Sequence, residues 1–154
     1  MMTYWRTYYH IVWATKYREP LITPEVEATL YPAIVGKACE LGAIVYTLNG
    51  IVDHVHLVVA IPPRLAVAAV VGDIKGRSSH VVSHHLPADF AWQIGYGVLT
   101  FGEKHLPWVV DYVQHQKEHH AAQTLYSRLE ICQEEDDGPP GALPGRAVDG
   151  PFGR

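Results

Sequence analysis

The stretch Asp53-His54-Val55-His56-Leu57-Val58-Val59-Ala60 constrains the fold more than any other, because it sets two histidines inside a run of strand-favouring residues. Side chains alternate between the faces of a strand, so His54 and His56 share one face while Val55, Leu57 and Val59 occupy the other. Just ahead lies Asn49-Gly50, the two-residue signature of a tight hairpin, which makes Ala43 to Leu48 the antiparallel partner of the histidine strand. Two imidazoles side by side at a strand's start are either satisfied by hydrogen bonds or share one metal ion. A third donor elsewhere has to decide.

The other elements follow from the same kind of pattern. Thr3 to Trp13 is rich in aromatic and β-branched residues and reads as a strand. Pro20 stops regular pairing after it, and Lys16-Tyr17-Arg18 in between are either solvated loop residues or a grip on a phosphate backbone beside a stacked base. Thr23 is an N-cap, Pro24 suits the first helical position, and Glu25 and Glu27 face the positive end of the dipole. This helix is expected over residues 24–41, kinked or restarted at Pro32 and closed by Gly42. Pro62-Pro63 ends the histidine strand, and Leu65 to Ile74 predicts a helix packed on the sheet. Lys75-Gly76-Arg77-Ser78-Ser79 sets small residues between two cations and allows close approach to a phosphate oxygen, ahead of a second helix at His80 to His85. Gly95 to Gly102 predicts a further strand, and Glu103 to about Arg128 a long terminal helix. The order is that of an α+β, ferredoxin-like or RRM-like split βαβ fold with an antiparallel sheet and helices on one face. Such a fold serves many purposes, so function has to come from the site.

A chain of 154 residues, 48% of them hydrophobic, supports one core, which we place in residues 1–130. The acidic, Pro- and Gly-rich residues 131–154 carry no core-forming pattern and are expected to be disordered. The net charge of -4 weakens the case for a polyanion partner, but the residues after Cys132 contribute most of it: Glu134, Glu135, Asp136, Asp137 and Asp149 against Arg146 and Arg154. The nearly neutral body can still carry a local basic patch. Cys39 and Cys132 match no zinc or redox spacing and read as free thiols in a reducing compartment. No apolar run spans a bilayer and no signal-peptide core is present, so a cytoplasmic protein without a membrane partner is expected.

The terminal helix offers the missing donor. Tyr112 and Gln116 lie four apart, stacked on one helical face. They are either ordinary positions on an amphipathic helix or a nucleophile and a third ligand. A phenol titrates near pH 10, so a tyrosine nucleophile at neutral pH needs a site that stabilises phenolate character or takes its proton. A divalent cation polarising a phosphate supplies the complementary electrophile, and two imidazoles with an amide oxygen leave positions open on it for phosphate and water. His115 and His119 also lie four apart, a metal-capable spacing, but with His120 they read as solvated helix residues.

Four blocks together go further. Tyr9-His10-Ile11-Val12-Trp13 with Lys16-Tyr17-Arg18, then Asp53-His54-Val55-His56-Leu57, then Lys75-Gly76-Arg77-Ser78-Ser79, then Tyr112 with Gln116, resemble the single-tyrosine HUH transposases of the insertion-sequence 200/605 type. The blocks keep the family's order over roughly residues 3–125. The resemblance implies a small homodimeric enzyme that cuts and rejoins single-stranded DNA at subterminal hairpins through a 5′-phosphotyrosine, with Mg2+ or Mn2+ as cofactor. It implies Tyr112 as nucleophile, His54, His56 and Gln116 as metal ligands, and exchange of the tyrosine helix between subunits. Asp53 matches an acidic position that orients a ligand or the attacking group, and Lys16, Arg18, Lys75 and Arg77 match basic segments near DNA. The chain departs from the family in its near-neutral body and in His80, where a further cation is common. Two other readings stand beside an active transposase: a sheet that binds single-stranded nucleic acid without cutting it, and a decayed or domesticated dimer kept for its fold.

Overall fold

The computed structural model describes residues 2–132, and the expected tail from residue 133 onward lies outside the described residues. Four strands form one antiparallel sheet in the order β2-β3-β1-β4, with β1 at Tyr8–Ala14, β2 at Ile44–Ile51, β3 at His54–Ala60 and β4 at Gly97–Phe101. The helices are α1 (Pro24–Glu40), α2 (Val67–His85), α3 (Leu106–Gln114) and α4 (Gln116–Ala122). This is the α+β split βαβ plan expected from the sequence, but the helices do not all lie on one face as expected, because α3 packs on the opposite side of the sheet from α1 and α2. On one face α1 and α2 cover Ile11, Trp13, Val55, Leu57 and Val59, the main core. On the other, Val58 packs with Val109, Tyr112 and Val113 of α3 and with Leu129.

Local chemistry explains most boundaries. The Thr23 hydroxyl accepts a hydrogen bond from the Val26 amide at 3.2 Å, the expected N-cap. Helix α1 then runs through Pro32 as one helix and does not restart there. The bond lost at Pro32 is outweighed by burial of Val26, Leu30, Ile34 and Ala38, four residues apart along one face. Gly42, at φ +95°, closes the helix: its amide reaches the Cys39 carbonyl and the Ala43 amide the Ala38 carbonyl, the paired bonds of a Schellman cap.

Three expectations need correction. The hairpin turns at Val52-Asp53, three positions beyond Asn49-Gly50, with Ile51 opposite His54 and Gly50 opposite Val55. A Cβ on Gly50 would sit 2.1 Å from the His54 carbonyl oxygen, so this glycine serves a close approach of backbones. The turn is held from outside by the Ile22 amide on Val52 O and the Thr15 amide on Asp53 O, each at 2.9 Å. The histidine face survives this shift because His54 and His56, two residues apart on one strand, share a face wherever the turn falls. Second, residues 75–79 interrupt nothing: α2 is one helix, because Val70, Val71, Ile74, Ser78 and Val82 bury a continuous stripe. Third, no single helix spans Glu103 to Arg128. A 3-10 turn at Glu103–His105 precedes α3, a break at His115 separates α3 from α4, and a left-handed Gln123 ends α4. His115 sets its Nδ1 2.8 Å from the Asp111 carbonyl oxygen, drawing on a backbone acceptor of the helix it interrupts. After α4 the chain makes a 3-10 turn at Ser127–Leu129 and returns to the sheet, where Cys132 packs with Val12 and Ala14. No helix among the described residues is long and apolar enough to cross a membrane.

The two glycines make opposite demands. Gly76 sits inside α2 with open space around it, so Gly76→Ala should leave the urea midpoint unchanged or raise stability by up to about 1 kcal/mol. Gly50→Ala should lower it clearly, since the Cβ would meet backbone. Equal effects of the two substitutions would contradict this account of the hairpin.

Candidate metal centre and nucleophile

The strand alternation of β3 aims His54 and His56 at the sheet face below α3 and α4, and both are fully buried. Each ring is fixed through Nδ1. His54 Nδ1 lies 2.7 Å from Asp53 Oδ1, and His56 Nδ1 lies 2.8 Å from Nε2 of His10, which β1 brings to the same face. With Nδ1–H donated to these acceptors, the Nε2 lone pairs of both rings point into the space under the helices.

Tyr112 and Gln116 also reach that space and are buried. So does Glu130, which directly follows the 3-10 turn. Glu130 Oε1 accepts from the Tyr112 hydroxyl at 2.5 Å and from Gln116 Nε2 at 3.2 Å. Its Oε2 lies 3.3 Å from His54 Nε2, 3.2 Å from His56 Nε2 and 3.5 Å from His120 Nε2. Among the described residues six buried side-chain polar atoms make no hydrogen bond, and four of them meet here: Nε2 of His54, His56 and His120, and Oε1 of Gln116. Buried polar atoms normally find partners, so four unpartnered nitrogen and oxygen atoms in one place form a set of ligand atoms suited to a cation. His54, His56, His120 and Glu130 offer ligand atoms within 4.8 Å of one another.

The electrostatics suit a cation. Burial lowers the pKa of His56 and His120, and burial with the neighbouring His56 takes His10 down to about 3. These imidazoles are neutral at pH 7, the form that ligates. Burial works to raise the Glu130 carboxyl, and the hydrogen bond donated by the Tyr112 hydroxyl works to lower it. Burial and the Glu130 carboxylate push the Tyr112 phenol up to about 12. Trp108 lies parallel to the Tyr112 ring at 5.8 Å, and His119 stacks at 4.7 Å.

Five sequence candidates, Asp53, His54, His56, Tyr112 and Gln116, thus converge within one protomer. Arg18 borders them, its Nε 3.6 Å from Asp53 Oδ2, while Lys16 is exposed on the same turn. Lys75 and Arg77 belong to α2, across the sheet; Arg77 is exposed, and Lys75 Nζ donates to the carbonyls of Gln93 at 2.6 Å and Gly95 at 2.9 Å. His120, read from sequence as a solvated helix residue, instead faces the site, because the break at His115 starts a new helix there. Glu130 and His10 were missed. His10 carried a faint signal, a polar residue within the strand-forming run Tyr8–Ala14; Glu130 carried none, since only the return of the chain after α4 places it.

Known proteins share this sequence pattern and this fold. Residues 3–116 match the family described as Transposase IS200 like, and the chain belongs to that family. It is 32% identical over 125 residues to the transposase for insertion sequence element IS200 of Salmonella typhimurium, an alignment covering 75% of this chain and 80% of the relative. It is 29% identical over 119 residues to the ISDra2 transposase TnpA of Deinococcus radiodurans, covering 71% and 85%. Among solved structures, a Deinococcus radiodurans R1 protein assigned as a transposase superposes with a TM-score of 0.61 at 27% identity, over 75% of this chain and 95% of that one. A REP-associated tyrosine transposase bound to a REP hairpin shares the fold, with a TM-score of 0.58 at 17% identity over 93% of this chain and 98% of that one.

The buried histidines give a signed pH dependence. His10 has a folded pKa below its unfolded value of about 6.5, so the unfolded chain binds protons first as pH falls. Its stability contribution is complete above about 6.5 and is lost progressively toward about 3. The urea midpoint of chelator-treated protein should fall between pH 7 and pH 5, and His10→Gln should flatten that slope. A midpoint that rises on acidification would refute the neutral assignment.

Proposed function

We propose that the chain is a metal-dependent strand transferase that cuts and rejoins single-stranded DNA at hairpin-marked ends, with Tyr112 as the nucleophile. The observation that carries this reading is the convergence of four unfilled buried donor atoms beside a buried tyrosine hydroxyl. His54, His56 and Gln116 would hold Mg2+ or Mn2+, and Asp53 and His10 keep the two rings turned with Nε2 inward. When bound, the cation polarises the scissile phosphate and draws charge from its oxygens. The Tyr112 oxygen attacks phosphorus, a phosphotyrosine forms to the 5′ side, and the bond to the 3′ oxygen breaks to leave a 3′ hydroxyl. Reversing the step with another 3′ hydroxyl joins a new strand and frees Tyr112. No external energy enters, because one phosphodiester is exchanged for another.

The surroundings of the site support a single-stranded substrate. A groove of about 490 Å³ beside Tyr112 is lined by Phe101, His105, Trp108, Tyr126 and Arg128, surfaces on which a base stacks and a phosphate is paired. On the other side Tyr17, Arg18, Gln93 and Gly95 line a cleft of about 300 Å³. Here Lys16 and Arg18 contact the strand entering the site, and Lys75 acts by fixing the 93–95 segment that forms the cleft wall. Arg77 serves as an outlying phosphate contact. The working unit is a homodimer, in which the tyrosine helix needs no exchange to complete a site, since Tyr112 and the histidines already meet within a protomer. A module that only bound nucleic acid would have no use for a buried tyrosine beside four unfilled donors.

Labelled single-stranded hairpin oligonucleotides built from the ends of the DNA flanking the reading frame, incubated with protein and Mn2+, should yield a covalent protein–DNA adduct. Tyr112→Phe should abolish it, and His56→Ala should reduce it at least about a hundredfold through loss of the cation. An adduct that persists in Tyr112→Phe would overturn the assignment.

A further inference from the structure

We propose that Glu130 is itself a ligand of the bound cation and, with His54, His56 and His120, forms a closed site of three imidazoles and one carboxylate. The proposal rests on the reading of His54 and His56 as metal ligands, but not on strand transfer. Its first support is metric. Two donors each about 2.0–2.1 Å from a tetrahedrally coordinated ion are about 3.3–3.4 Å apart. The three separations from Glu130 Oε2 are 3.3 Å to His54 Nε2, 3.2 Å to His56 Nε2 and 3.5 Å to His120 Nε2, close to three of the six edges of such a tetrahedron, and the four ligand atoms all lie within 4.8 Å of one another.

The second support is the pattern of bonds. At those three edges no hydrogen bond is made, and the Nε2 atoms are buried and unfilled. The other carboxylate oxygen is fully engaged, taking the Tyr112 hydroxyl and the Gln116 amide. One oxygen is thus anchored by protein and the other faces three buried ring nitrogens, an arrangement that a cation among them satisfies. Ligating carboxylates are commonly held in this way through their second oxygen.

The third support is what surrounds the carboxylate. Glu130 is brought in by a segment with its own packing: Leu129 lies against Val58, Val109 and Val113, and Cys132 against Val12 and Ala14. The contact is therefore part of the fold. It follows that in this arrangement Gln116 positions the carboxylate, and that the cation has no position left for a phosphate oxygen until Glu130 yields one. Three imidazoles and one carboxylate at tetrahedral spacing favour Zn2+ or Co2+ over Mg2+, which demands six nearly octahedral oxygen ligands.

Titration calorimetry of the full-length, chelator-stripped protein with Zn2+, Co2+ and Mg2+ tests this without DNA. The wild type should bind one Zn2+ at least about a hundredfold more tightly than Mg2+, and its Co2+ form should show the intense visible absorption of four-coordinate cobalt. Glu130→Gln and His120→Ala should each weaken Zn2+ binding at least about tenfold and dim the cobalt bands, while circular dichroism of the metal-free proteins stays unchanged. If both variants keep wild-type affinity and spectrum while His56→Ala loses binding, Glu130 is no ligand and the histidine reading stands. If the wild type binds no Zn2+ or Co2+, the proposal fails outright. Strand transfer is judged separately, by the Tyr112 adduct.

Discussion

Everything at the site depends on two hydrogen bonds that fix the imidazoles of β3 from behind. Asp53 and His10 take the Nδ1 atoms of His54 and His56, so the rings can turn only their Nε2 atoms toward the helices. Each bond is a consequence of strand geometry. Asp53 is adjacent in sequence, at the turn, and His10 lies diagonally across the β1–β3 ladder, where Val12 is paired with His56 and His10 with Val58. Without those acceptors the buried rings would be free to flip. With them, two ring nitrogens are presented at one spot in a dry interior.

The rest of the chain is arranged to roof that spot. Helices α1 and α2 bury the opposite sheet face, which frees the histidine face for α3, α4 and the returning segment. The break at His115 matters here, because Tyr112 and Gln116 stand on either side of it and still reach one carboxylate. The Tyr112 phenol, pushed up by burial and by Glu130, is held in its protonated form in this arrangement. A cation competing for the Glu130 carboxylate would relieve that constraint, which links metal binding to the readiness of the nucleophile.

How much of this the sequence discloses depends on the range of the interaction. The shared face of His54 and His56 is a matter of parity, robust even to a turn displaced from Asn49-Gly50 to Val52-Asp53. The N-cap at Thr23 and the close at Gly42 are equally local. The continuity of α2 through Gly76 and of α1 through Pro32 is tertiary: burial along one face overrides the breaker. The pairing of Tyr112 with Gln116 is visible as helical spacing, although the helix is broken between them. Glu130 and His120 are invisible because their position depends on the break at His115, the left-handed Gln123 and the final 3-10 turn acting together. Residues 131 and 132, expected to begin a tail, pack against the sheet instead: the Ile131 carbonyl lies where a Cβ on Gly97 would sit.

In the proposed site the β3 imidazoles and the Tyr112 phenol face a single cation within one protomer. Anomalous diffraction from crystals grown with Mn2+ distinguishes this arrangement from the alternatives. One peak is expected within bonding distance of Nε2 of both His54 and His56, with the hydroxyl of the same chain's Tyr112 on its near side. A peak elsewhere, or rings flipped to present Nδ1 with Asp53 and His10 left unbonded, would contradict it.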